Sequence, residues 1–153
     1  MRKHPGNHFY AVAVLGLLGI VSACGSEGAA GQELPEFASL DDAYQAVDAV
    51  LGCAADVGDP PTKHPLSGGP TGESVLCTKT VEVLWFDSQE AYDNVYALYA
   101  AAAGNPGSVY LVQGQNWFVA DVAEVAIGVE DPQRNTKLED LAENLGAKYA
   151  VKR

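Results

Sequence analysis

Two of the three cysteines, Cys53 and Cys77, flank a segment rich in proline and glycine, and each stands at the edge of a different periodic pattern. Apolar residues before Cys53 recur at helical spacing, whereas those around Cys77 are β-branched and aromatic in the manner of strands. A bond between these thiols would force a helix end against a strand, close a loop of about 25 residues and stabilise the fold by roughly 3 to 4 kcal/mol on the chain-entropy model. It would also pin the Pro-rich segment at both ends. Such a bond requires an oxidising compartment.

The N-terminal residues point to that compartment. Met1 to Cys24 comprises a basic start with Arg2 and Lys3, an apolar run "FYAVAVLGLLGIV" from Phe9 to Val21, and small residues before Cys24. This is the layout of a secretory signal. The run falls short of the roughly 18 to 20 apolar residues that a membrane-spanning helix needs. Arg2-Lys3 is not a twin arginine, which favours export of an unfolded chain. Val21-Ser22-Ala23-Cys24 resembles a bacterial lipobox, in which an aliphatic residue and two small ones precede the modified cysteine. The resemblance implies that residues 1–23 are removed and that Cys24 carries a diacylglyceryl thioether. Ordinary signal cleavage could use the same small residues and would leave Cys24 as a free thiol. Lipidation makes the cysteine count even, leaving Cys53 and Cys77 to each other. Two acyl chains also meet the two-signal requirement for stable membrane attachment.

From Cys24 onward the chain has seven basic residues against 20 acidic ones, a formal charge of −13. That field opposes nucleic acid and anionic lipid head groups, so the lipid rather than the domain surface is expected to hold the protein at the membrane. No nucleic-acid partner is expected. The mature length suits one domain, expected to be monomeric. Residues 24–38, ending in "GSEGAAGQELPEFA", are small and polar without periodicity and read as a flexible tether with a reach of roughly 20 Å.

Residues 39–153 read as a single α+β domain. Ser39 and Asp42 start a helix over about Leu40 to Cys53, with Leu40, Ala43, Tyr44, Val47, Val50 and Leu51 on one side. Gly58 to Gly72 reads as a long loop, functional or a pinned connector. "SVLCT" and "TVEVLWF" form a hairpin turning near Lys79. Asp87 to Glu90 caps a second helix over Gln89 to Ala103, whose apolar side includes Tyr92, Val95, Tyr96, Leu98 and Tyr99. "SVYLVQ" and "NWFVA" form a second hairpin around Gly114-Gln115-Asn116. The stretch 121–135 is ambiguous between strand and turn, and Thr136 with Glu139 starts a last helix ended by Gly146. The order α-ββ-α-ββ-α predicts an antiparallel sheet of about four strands packed against helices. Val83, Trp85, Leu111 and Trp117 are assigned to one sheet face and Leu84, Phe86, Tyr110 and Phe118 to the other. Three helices are available to cover both faces; the alternative is that one face stays partly open and binds a ligand or partner.

Chemistry is sparse. A metal site from Cys53, His64 and Cys77 competes with the disulfide, yet the spacing matches no compact metal motif. His64 is the only mature histidine, no nucleophile elbow is present, and Ser67 is too close in sequence to imply a triad. It reads as a surface residue. No EF-hand or phosphate-binding loop appears. No catalytic residue, metal ligand or cofactor is assigned. The capped first helix, a cysteine leading into hairpin strands, and "GQNWFV" before a terminal helix ending "LG" resemble a group of small actinobacterial lipoproteins. That resemblance brings no catalytic residue with it. Asn116 reads as a turn residue and Trp117 as core. The expectation is a non-catalytic, lipid-anchored binding or support module at the extracytoplasmic face of the cell membrane. The alternatives are an enzyme acting on an envelope polymer or small molecule, and a metal carrier.

Overall fold

The computed structural model describes residues 33–53, 63–65, 72–104 and 107–153. The expected signal segment, Cys24, most of the expected 24–38 tether and most of the Gly58–Gly72 loop lie outside the described residues.

Helix α1 (Leu40–Leu51) starts where a serine can cap it: the Ser39 hydroxyl accepts a hydrogen bond from the Asp42 amide at 3.2 Å. Leu40, Ala43 and Val47 form its buried stripe. Gly52 ends it two residues before the expected limit, with φ of 65° and its amide bonded to the Asp48 carbonyl. A left-handed residue is costly for anything but glycine, so the helix stops there.

Strands β1 (Lys63–Pro65), β2 (Gly72–Leu76), β3 (Val81–Phe86), β4 (Val109–Gln113), β5 (Trp117–Asp121) and β6 (Lys148–Lys152) make one sheet in the order β1-β2-β3-β5-β4-β6, with every neighbouring pair antiparallel. Both expected hairpins form, and they meet along β3 and β5 at the sheet centre. The sheet has six strands rather than about four. The element order gains β1 and β6 at its edges and splits the stretch after β5 into α3 (Ala123–Ile127) and α4 (Pro132–Leu145). The missed strands are three exposed residues ending in proline and five residues bounded by lysines. Short, Pro-bearing and Lys-flanked sequences are how open sheet edges resist pairing with another chain.

Helix α4 begins at Pro132, four residues before the expected Thr136. Asp131 caps it, its carboxylate accepting from the amides of Gln133 and Arg134 at 3.1 Å, and proline suits the first turn because its missing amide would have no partner. Thr136 lies inside the helix and donates to the Pro132 carbonyl.

Helices α1 and α4 cover one sheet face, burying Leu40, Val47, Leu138 and Leu141 against Val83, Val112, Trp117 and Val119. Helix α2 (Gln89–Ala102) covers the other, where Phe118 lies under Tyr92, Tyr96 and Tyr99 at ring separations of 5.5 to 5.8 Å. Coverage is two-sided, as read, but two assignments exchange faces. Leu111 faces α2 and Tyr110 faces α4, because Val112 pairs with Val119 and Leu111 with Ala120. A one-residue offset moves every side chain of a strand to the opposite face. Leu98, assigned to the buried side of α2, is 69 % exposed.

Candidate functional site

Cys53 and Cys77 are bonded, with 4.5 Å between their α-carbons. The thiols are consumed by each other, which removes them from any metal site with His64. His64 lies in β1, opposite Ser74 and exposed. Among the described residues no group of three or more His, Cys, Asp or Glu side chains is arranged to hold a metal ion. No helix among them is long and apolar enough to cross a membrane.

The central strands β3 and β5 have two chemically distinct ends. At one, Val81 lies opposite Asp121. The Asp121 side chain, 3 % exposed, accepts from the Ala123 amide at 3.0 Å and pairs with Arg134 at 3.3 Å, while Arg134 also donates to Thr80 at 3.2 Å. The adjoining turn is tied by the Cys77 amide to the Val81 carbonyl, and the Thr78 hydroxyl accepts from the amides of Thr80 and Val81. Buried polar groups here have partners, as burial demands.

At the other end Trp85 lies opposite Trp117, and the chain segment preceding α1 crosses over both. Residues 35–37, which lie within the stretch expected to be a free tether, are fastened to the domain as a strap. The Pro35 carbonyl accepts from the Trp117 indole at 3.0 Å and from the Gln115 amide at 2.8 Å. The Phe37 carbonyl accepts from the Trp85 indole at 2.9 Å and the Asn116 amide nitrogen at 2.7 Å, and the Phe37 amide donates to the Asn116 side-chain oxygen at 3.0 Å. The Phe37 ring sits 5.0 Å from Trp117. Asn116 thus imitates a neighbouring strand, pairing with both backbone groups of one residue. Gly114 makes the approach possible, because a β-carbon there would stand 1.9 Å from the Trp117 indole nitrogen and 2.6 Å from the Pro35 carbonyl.

The strap walls an open cleft of about 380 Å³. Glu36, Phe37 and Ala38 form one side, Trp85 to Gln89 a second, and Gln115 with Asn116 the third. Glu36 and Asp87 are exposed, and neither has an ion pair or side-chain hydrogen bond among the described residues. Phe86 is fully buried beneath, stacked on Phe118 at 5.4 Å, so the cleft stands on a packed floor. Helix α2 starts at the rim, where the Ser88 hydroxyl accepts from the Ala91 amide.

Two tyrosine–carboxylate pairs lie elsewhere. The Tyr99 phenol donates to Glu82 on the α2 face; burial first, and then this bond, push its pKa up. The Tyr110 phenol donates to Glu124, whose other oxygen accepts from the Ser108 amide at 2.8 Å. These bonds hold the Glu124 carboxyl below its ordinary range and raise the Tyr110 phenol.

Sequence reading identified Trp117 as core and Asn116 as a turn residue. It missed what their polar atoms do. The available signal was "QNW" between two strands: an indole and an amide at a hairpin tip need partners, and only a third segment could provide them. No protein-family model, characterised protein or solved structure matches the chain.

Proposed function

We propose that the protein is a lipid-anchored, extracytoplasmic binding module of the cell envelope, held at the membrane through Cys24 and taking its ligand, as a monomer, in the cleft beside the strap. The observation that carries this reading is the cleft itself. An open cleft lined by two acidic residues, side-chain amides and aromatic groups is the kind of site that small-ligand recognition uses. Its position also supports the reading, since one wall belongs to the segment leading from Cys24 into the domain. Strand ends and a strapped segment hold the wall, so an incoming ligand need not order it first.

An enzyme acting on an envelope polymer or small molecule is the second reading, favoured by two acidic residues on the lining of one cleft. Turnover separates the two: release of product from envelope material, lost in Glu36→Gln or Asp87→Asn, would establish the enzyme. The anchor is tested by Cys24→Ser in the full chain. The variant is expected to move from the membrane to the soluble fraction, and membrane fractionation unchanged from the wild type would contradict the anchor.

A further inference from the structure

The chemistry of the cleft narrows its ligand. Of ten lining residues none is basic, two carry carboxylates, and three present side-chain amides. The Asn116 side-chain amide is occupied by the strap and the Gln89 side-chain nitrogen by Asp93 at 2.9 Å, leaving the side-chain amide of Gln115 without a bond to a described residue. An anionic ligand would meet two unneutralised charges. The start of α2 opposes this with about half a positive charge. Two full negative charges outweigh it, and Glu90 in the first turn of α2 adds a third nearby. Phe37 and Trp85, both half-buried, line the same space and suit the aliphatic stem or the charge of an organic cation.

We infer that the cleft binds a guanidinium or ammonium group borne on a short aliphatic chain, with Glu36 and Asp87 as its counter-charges and Phe37 and Trp85 against its stem. This inference rests on the cleft being the ligand site. The formal charge of −13 beyond the signal segment draws cations toward the domain. The strap contributes Glu36 and Phe37, so the site is complete only when the strap is docked. Cation binding and strap docking therefore favour each other by the same factor.

The test uses the full chain in detergent micelles, titrated calorimetrically at low salt with three probes: agmatine, the blocked peptide Ac-Gly-Arg-Gly-NH2, and the same peptide with citrulline for arginine. Agmatine or the arginine peptide is expected to bind, at least tenfold more tightly than the citrulline peptide, and to weaken as salt rises. The double variant Glu36→Gln/Asp87→Asn changes two exposed side chains and is expected to keep the wild-type thermal midpoint while losing at least tenfold in affinity. Tighter binding of the peptide assigns the group to a polypeptide partner; tighter binding of agmatine assigns it to a free amine. Equal affinity for the citrulline peptide, or the same affinity in the double variant, overturns the charge assignment while leaving the cleft as a site. No heat from any probe overturns the inference. A neutral oligosaccharide that binds where the cations do not would also overturn it, yet uphold the cleft; no perturbation of the cleft by either class would count against the binding-module reading as well.

Discussion

The two ends of the β3–β5 pair share acidic residues and differ in what those residues touch. Each end carries carboxylates beside a turn. At the Asp121 end the carboxylate is buried, paired with Arg134 and bonded to a backbone amide, and the Cys53–Cys77 bond fixes the neighbouring turn. At the Trp85 end Glu36 and Asp87 are exposed and line an open cleft. Helix α1 connects the two, beginning at the strap and finishing at the disulfide. The comparison teaches that polar groups belonging to the fold can be told from those available to a ligand by whether their partners are already inside the chain.

Disturbing the closed end should cost the most stability. Replacing Cys53 and Cys77 together by alanine is expected to lower unfolding free energy by roughly 3.5 kcal/mol, checked by denaturant unfolding. Asp121→Ala leaves Arg134 without its buried partner. Breaking a buried pair costs about 3 to 5 kcal/mol, but Arg134 is 27 % exposed and keeps its pair with Asp131 at 3.2 Å, so a smaller loss of about 2 kcal/mol is expected at neutral pH. Neither change should alter cation affinity while the protein remains folded.

The open end should show the reverse balance. Asn116→Ala removes both side-chain bonds to Phe37, for a loss of about 1 to 2 kcal/mol, but it should release the strap and abolish binding in the cleft. Hydrogen exchange of the Gln115 amide, which donates to the Pro35 carbonyl and is untouched by the substitution, would report that release directly. His64→Ala changes an exposed edge residue and should stay within about 0.5 kcal/mol of the wild type by the same unfolding measurement.

Titration sharpens the contrast from another side. Burial raises the phenol of Tyr92 and, with the Glu82 bond, that of Tyr99; burial also pushes Tyr149 up to about 12. A phenol whose pKa is raised on folding stabilises the native state below its unfolded value near 10 and loses that contribution as pH climbs toward the folded value. Stability should therefore decline above about pH 10, with these phenols ionising only as the protein unfolds. Ultraviolet difference titration at 295 nm would follow it. Glu124 has the opposite sign: its depressed pKa stabilises above the ordinary carboxylate range and is lost as pH falls through the folded value.

Much of this architecture is legible in the sequence. Capping serines, glycine stops and alternating apolar residues announced α1, α2 and both hairpins because those signals act locally. The disulfide followed from cysteine parity and the periodicities on either side. The edges were invisible because Lys63-His64-Pro65 has no apolar face, and because the lysines bounding β6 give it the look of a polar tail. The exchange of Tyr110 and Leu111 arose from register, which depends on the turn and partner strand rather than on either residue alone. The cleft was hidden for the same reason: it needs Pro35 and Phe37 beside Asn116, about eighty positions away, and a polar, aperiodic stretch reads equally as free tether or docked strap.

The division between a closed and an open end is tested most directly by backbone-amide chemical shifts of the full chain in micelles during titration with agmatine. Shifts should move at Glu36, Phe37, Gln89 and Gln115 and at the Trp85 indole, and stay fixed at Thr80, Val122 and Ala123. Movement centred on Asp121 and its neighbours, or none at the strap, would contradict the account.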